Sequence, residues 1–405
     1  MKNCIVGQSG GPTAVINASL CGVASAALKN ENIGTVYGAV NGIMGVLSEN
    51  FIDMADILKT KEDEELLKTT PASFLGSCRY KLPKLDDDKD DFKKIFDVFT
   101  KYDIGYFFYI GGNDSMDTVD KLSRYAEKIG YDINIIGVPK TIDNDLMETD
   151  HTPGFGSAAK YIATTVREVG LDSDVYDLNS VTIVEIMGRN AGWLTAASVL
   201  ARNEKCAAPH LIYLPESDFD DEKFFNDIKE LNAKGVKNII VAVSEGIRYA
   251  DGTYVCDKAS SGLVDTFGHK CLSGTAKVLE NMVRDNLGFK ARGIEINVLQ
   301  RCASHFTSLV DINEAFEVGA AGVAEAVAGG TGKMMAYERV SNKPYKMQIV
   351  SRDIKNIANG ERIVPQEWIS NGNDVTQEMI DYVQPLIEGT PTLKYENGLP
   401  VYLKR

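Results

Sequence analysis

The amino-acid sequence predicts an α/β fold with parallel sheets and enough chain for two domains. Short apolar runs alternate with longer segments whose apolar residues recur at helical spacing, the pattern of βαβ units. At 405 residues and 44% hydrophobic, the chain can bury more than one core. The third observation is chemical. Charged and hydroxyl residues crowd the C-terminal ends of several apolar runs, where open α/β sheets hold their ligands.

Strands are expected at 4–6, 35–40, 106–110, 133–138, 181–186, 211–214, 239–243 and 294–299. Each is a short run rich in Val, Ile, Tyr or Phe and bounded by turn formers, as a strand covered on both faces requires. Helical spacing of apolar residues appears at 17–29, 117–129, 155–170 and 191–201. Segments 333–340 and 346–350 flank Ser341-Asn342-Lys343-Pro344 and read as a hairpin. Two helices and a tail are expected after it. No internal repeat and no low-complexity linker interrupts the pattern.

A net charge of −14 argues against nucleic-acid and membrane partners, because both are polyanionic surfaces. A small phosphorylated substrate remains compatible, since it responds to local Lys and Arg. No run of about 18 apolar residues exists, and Met1-Lys2-Asn3 leads straight into a strand without a signal-peptide core, so a cytoplasmic protein is expected. The acid run Asp86-Asp87-Asp88-Lys89-Asp90-Asp91 reads as a solvated helix start. Seven cysteines lack CxxC spacing, so neither a disulfide framework nor a zinc site is indicated. None of the histidines shows ligand spacing, and structural roles are expected for them.

The chemistry gathers around Val138-Pro139-Lys140-Thr141-Ile142-Asp143-Asn144-Asp145. Two carboxylates, a hydroxyl and a lysine at one strand end suit phosphoryl transfer: a carboxylate can take a hydroxyl proton, another can hold Mg²⁺, and a cation can meet the donor phosphates. Two glycine-rich turns, Gly7-Gln8-Ser9-Gly10-Gly11-Pro12-Thr13 and Gly111-Gly112-Asn113-Asp114-Ser115, each close a strand and open a helix. That arrangement points backbone N–H groups and a helix N-terminus at an anion. Neither turn has the dinucleotide fingerprint or a Walker lysine, which argues against a nicotinamide dehydrogenase. Further strand ends carry Met187-Gly188-Arg189, Ser244-Glu245-Gly246 and Gln300-Arg301. The arginines can clamp phosphate, and Glu245 can accept sugar hydroxyls.

Taken together, Gly10-Gly11, Gly111 to Ser115, Pro139 to Asp145, Met187-Gly188-Arg189 and Gln300-Arg301 resemble the phosphofructokinase family, in order and spacing, from residue 1 to about 350. The resemblance implies two Rossmann-like three-layer domains with the active site in the cleft between them. A phosphoryl-donor domain would comprise 1–154 plus 300–350, a sugar-phosphate domain 155–299, and a C-terminal helical extension 351–405.

It also implies roles. Asp143 would be the general base on the 1-hydroxyl of fructose 6-phosphate, and Arg189 would neutralise charge on the transferring phosphoryl group. Thr141 and Ile142 would touch the substrate or that group, with Lys140 and Asp114 shaping the catalytic pocket. Gly10, Gly11, Arg79, Gly112, Ser115 and Lys140 would hold the donor. Met187, Gly188, Glu245 and Arg301 would hold the sugar phosphate. Arg292 would reach it from a neighbouring subunit, which implies a homodimer or homotetramer. Asn113, Asp114 and Asp145 would surround Mg²⁺.

Two positions point to the donor. ATP-using members resemble Gly-Gly-Asp-Gly-Ser and Pro-Gly-Thr-Ile-Asp-Asn-Asp, whereas here Asp114 and Lys140 replace a glycine in each motif. A carboxylate at 114 would meet the α-phosphate of ATP, a repulsion of roughly 1 to 4 kcal/mol at about 4 Å. The same changes resemble the pyrophosphate-dependent branch. Ile43, where a tyrosine would pack near adenine, agrees. Other departures are Asn113 for an Mg²⁺-binding aspartate, Ser180 for a second intersubunit arginine and Val298 for a sugar-contacting histidine, with Lys84 or His305 as substitutes. The expected reaction is reversible transfer of phosphate from pyrophosphate to fructose 6-phosphate. The alternatives are an ATP-dependent phosphofructokinase and a non-catalytic sugar-phosphate-binding subunit.

Overall fold

The computed structural model describes residues 1–85, 90–258, 274–358 and 360–405. In chain order its main strands are β1 (Lys2–Gln8), β2 (Ile33–Ala39), β3 (Phe51–Asp53), β4 (Ile104–Gly111), β5 (Asn134–Pro139), β6 (Ser180–Ile186), β7 (Leu211–Tyr213), β8 (Asn238–Ser244), β9 (Lys290–Glu295), β10 (Lys333–Asn342) and β11 (Tyr345–Asp353). Two sheets result. The larger runs β11-β10-β5-β4-β1-β2-β3 and the smaller β7-β8-β6-β9. All pairings are parallel except β2–β3 and the β10–β11 hairpin.

The central strands are mostly apolar on both faces because each sheet is covered on both sides. In β4, Phe107 and Tyr109 enter one core while Phe108 and Ile110 enter the other. In β6, Val184 and Ile186 face one core, and Val181 and Ile183 the opposite one. Helices Ile16–Leu28 and Leu309–Val327 cover one face of the larger sheet, and Asp91–Lys101 and Asn113–Ile129 the other. Period-two alternation into two cores is the geometry of three layers. The expected α/β architecture of two such units is present.

Three expectations need correction. The run 294–299 is not the strand: β9 lies at Lys290–Glu295, and Leu299–Cys302 is a short helix. Asn297, with φ 49°, turns the chain between them, and Val298 and Leu299 stand 46% and 55% exposed. The apolar run misled because β9 is an edge strand of mixed polarity. The segment after 351 is less helical than expected, with one α-helix, Gln377–Val383, short 3₁₀ turns and two two-stranded ribbons among the described residues. Turn formers at Asn371-Gly372-Asn373 and Gly389-Thr390-Pro391 interrupt it. The stretch 191–201 splits into Trp193–Ala197 and a 3₁₀ turn, Ser198–Ala201.

Asp86 to Lys89 lie outside the described residues, while Asp90 immediately precedes the helix that starts at Asp91, without a side-chain capping bond. Among the described residues no helix is long and apolar enough to cross a membrane. Cys4, Cys21, Cys78, Cys206 and Cys302 form no disulfide, and among the described residues no group of three or more His, Cys, Asp or Glu could hold a metal on its own.

Candidate active site

The C-terminal ends of β1, β4 and β5 open toward those of β6 and β8 across a cavity of about 520 Å³. On the larger sheet, the turn after β1 brings Gly10 and Gly11 beside the end of β5. Gly10 has φ +75°, a left-handed conformation that glycine adopts without strain, and its carbonyl accepts from Ser77 Oγ at 2.6 Å. Lys140 is 3% exposed and donates from Nζ to the carbonyl of Gly11 at 2.6 Å. A Cβ on Gly11 would stand 2.9 Å from Arg301 Nη1, so the missing side chain admits the guanidinium. Burial lowers Lys140 to about 8, with Asp143 and Asp145 resisting the fall, so it is mainly cationic at pH 7.

Gly112 precedes the helix Asn113–Ile129, whose first turn faces the cavity through Asn113, Asp114 and Ser115. Asp114 sits 3.8 Å from Lys81 Nζ in a half-exposed ion pair. Asn113 Oδ1 is buried without a partner, an acceptor for which the described residues supply no donor. Arg79 completes this wall.

The loop after β5 supplies the carboxylates. Asp143 N–H bonds Thr141 Oγ1 at 3.1 Å, and Asn144, with φ 57°, turns the chain so that Asp143 and Asp145 both line the cavity. Burial raises the carboxyl pKa of Asp143, against the pull of Lys140 and Arg189. Burial and the charges of Asp143 and Glu361 lift Asp145 to about 7. Across the cavity, burial and the Asp143 charge lift Glu245 to about 8, although Gly188 N–H leans toward its Oε1 at 3.4 Å. Arg189 lines the same wall with a buried, unpartnered Nε. Gln300 Oε1 accepts from Met187 N at 3.2 Å and fixes the loop that carries Arg189.

The cavity therefore gathers Gly10, Gly11, Arg79, Gly112, Asn113, Asp114, Ser115, Lys140, Thr141, Ile142, Asp143, Asp145, Met187, Arg189, Glu245 and Arg301. Gly188 lies behind its lining. Arg292 is elsewhere, exposed on β9 in a small hollow with Ser180, Thr182 and Tyr176. Ile43 is buried in the core, and Lys84, Val298 and His305 do not line the cavity. Arg301 packs toward the donor turn at Gly11 in this arrangement. Glu361, accepting from Asn190 Nδ2 at 3.1 Å, and Gly360 were not anticipated. Asn190 could have been found from its place beside Arg189, but nothing near Glu361 in sequence signals chemistry.

The lining carries four cationic side chains, Arg79, Lys140, Arg189 and Arg301, against five carboxyl groups, Asp114, Asp143, Asp145, Glu245 and Glu361. Such a site can hold phosphate groups and move a proton to a carboxylate.

A family model described as phosphofructokinase matches residues 3–324. The chain is 42% identical over 406 residues to a protein of Halomonas elongata named pyrophosphate--fructose 6-phosphate 1-phosphotransferase, covering 99% of this chain and 96% of that one. A Methylococcus capsulatus protein of the same name is 42% identical, with 99% and 95% covered. The crystal structure of a pyrophosphate-dependent phosphofructokinase from Marinobacter aquaeolei superposes with a TM-score of 0.88 at 40% identity, covering 100% of this chain and 96% of that one.

Proposed function

Since this chain belongs to the phosphofructokinase family, we propose that it is a pyrophosphate-dependent enzyme, transferring phosphate reversibly between pyrophosphate and the 1-hydroxyl of fructose 6-phosphate. The single observation that carries the donor assignment is the pair Lys140 and Asp114 in the wall of the cavity. Lys140 brings a buried cation to the turn at Gly11, and Asp114 puts a carboxylate at the helix N-terminus. Pyrophosphate has no nucleoside to anchor it, so an added cation compensates. The Asp114 carboxylate opposes the α-phosphate of a nucleotide by charge and bulk.

In this mechanism the sugar phosphate lies between Asp143 and Glu245. Asp143 takes the proton of the 1-hydroxyl as that oxygen bonds to phosphorus, the bridging P–O bond breaks, and inorganic phosphate leaves. A raised pKa makes the Asp143 carboxylate a stronger base. Arg189 meets the charge on the transferring group, its unpartnered Nε–H providing a donor already desolvated. Gly10, Gly11, Gly112, Ser115, Arg79 and Lys140 cradle the donor. Thr141, Ile142, Met187 and Arg301 complete the pocket, with Gly188 behind its lining.

Mg²⁺ is the cofactor of this reading. Asn113, Asp114 and Asp145 offer it hard oxygen ligands, and the orphaned Asn113 Oδ1 fits that use. When bound it offsets charge on the phosphate oxygens. Arg292, turned away from the cavity of its own chain, would serve the site of a second copy, so a homodimer or homotetramer belongs to the same reading. A cytoplasmic location follows, because these phosphorylated substrates are made and retained inside cells. Reversibility gives the test: with phosphate and Mg²⁺, fructose 1,6-bisphosphate should yield pyrophosphate visible by phosphorus NMR. If no pyrophosphate appears from folded protein, the reading is wrong.

A further inference from the structure

Asp143 and Asp145 flank Asn144, a buried asparagine in the left-handed region, a conformation that needs support from its surroundings. That support comes from a segment more than two hundred residues further along the chain. Asn144 Nδ2 donates to Tyr382 Oη at 2.9 Å, Arg362 Nη2 donates to the same oxygen at 2.9 Å, and Tyr382 Oη donates to the carbonyl of Asp150 at 2.6 Å. The phenol oxygen thus accepts twice and donates once, using its hydrogen bonding in full. Arg362 also donates through Nε to the Asn144 carbonyl at 3.3 Å and through its backbone N–H to the Asp145 carbonyl at 2.7 Å.

The clamp is itself fixed. The Arg362 guanidinium lies 4.3 Å from the Trp193 ring centre, and Trp193 Nε1 donates to the Arg362 carbonyl at 3.1 Å. Tyr382 packs against both Trp193 and Trp368, with ring centres at 5.3 and 5.5 Å. Both ends of the 144–150 stretch therefore converge on one hydroxyl carried by a helix that packs on the smaller sheet's core, while β5 belongs to the larger sheet.

We infer that Tyr382, with Arg362, is a positioning residue for the reaction: its hydroxyl holds the loop that aims Asp143 and Asp145 across the cleft between the sheets. The segment after β11 is then part of the catalytic apparatus. The inference rests on the proposed phosphotransfer for its kinetic consequence, but its structural consequence stands apart.

Tyr382→Phe removes only the hydroxyl and keeps the ring that packs on Trp193. We expect kcat with pyrophosphate to fall about tenfold or more, the cost of a misplaced reacting group, with KM values within about twofold. Amide hydrogen exchange should rise in 141–151 and stay unchanged in the helix Phe155–Ser173. In an Asn144→Ala background the same substitution should cost much less, because both changes break one network. Arg362→Lys should fall between the parent and Tyr382→Phe. Unchanged kcat and unchanged loop exchange in Tyr382→Phe would overturn the inference, as would full additivity with Asn144→Ala. Should Tyr382→Phe unfold, Arg362→Lys carries the test by the same two readouts. A parent protein inactive with pyrophosphate would refute the proposed function, while the exchange measurement would still decide the clamp.

Discussion

Lys140 Nζ donates a 2.6 Å hydrogen bond to the carbonyl of Gly11, tying the end of β5 to the turn after β1. A buried ammonium bonded to a carbonyl still has two N–H groups for an anion. The expected consequence concerns the donor. Asp114→Gly combined with Lys140→Gly should raise the KM for pyrophosphate roughly 10- to 150-fold, as losing one charge-assisted bond of about 1.5–3 kcal/mol implies. Steady-state kinetics with pyrophosphate and ATP in parallel checks this. Parent-like use of pyrophosphate by the double variant would remove these two residues from the donor site.

Replacing Asp143 separates catalysis from stability. Asp143→Asn should lower kcat by about 10² to 10⁴, the range for loss of a positioned general base. Burial raises the carboxyl's pKa in the folded protein, so its ionised form opposes folding, and the neutral amide should leave the melting temperature equal or higher. Calorimetry beside initial rates tests both. An active, folded variant would sink the base assignment.

Two glycines of the donor turns should respond differently to alanine. At Gly11 the new Cβ would meet only the mobile tip of Arg301, at 2.9 Å. Gly11→Ala should therefore fold normally and weaken substrate affinity several-fold as the guanidinium is displaced. At Gly111 the Cβ would stand 1.9 Å from Ser115 Oγ, within the first turn of the helix. Gly111→Ala should lose stability before any kinetic effect can be read. Thermal melts and KM values of the two variants make the comparison.

A pH effect should come from outside the cavity. His151 bonds Asp150 Oδ1 through Nδ1 and Glu314 Oε2 through Nε2, both at 2.8 Å, while Arg339 holds Asp150 and Tyr345 holds Glu314. Burial opposes the imidazolium, but Glu314 and Asp150 prevail and raise His151 from 6.5 to about 9. A folded pKa above the unfolded value means stabilisation that is complete below about 6.5, declines as pH rises, and is gone above about 9. The melting temperature of the parent should fall across that window. In His151→Gln the fall should be shallower; an identical slope would exclude His151 as its source.

The sheet of parallel strands and most of the cavity wall were legible because both are local. β1, β4, β5, β6 and β8 are apolar runs, and their polar residues follow within a few positions. β9 was misplaced because, at the edge of its sheet, it needs no continuous apolar run, whereas the exposed Val298-Leu299 imitates one. Glu361, Arg362 and Tyr382 were invisible for a different reason. Their meaning comes from contact with loops far away in the chain, at Asn190 for Glu361 and at 144–150 for Arg362 and Tyr382, and each alone is an ordinary surface or core residue. Arg292 shows the converse: the resemblance makes it a sugar-phosphate ligand, but it lies exposed on β9, away from the cavity of its own chain.

The most direct measurement is the initial rate of fructose 1,6-bisphosphate formation from fructose 6-phosphate and Mg²⁺, with pyrophosphate and ATP as alternative donors at equal concentration. We expect turnover with pyrophosphate and little or none with ATP. Turnover with ATP alone would contradict the reading of Lys140 and Asp114, and silence with both donors from folded protein would contradict the proposed reaction itself.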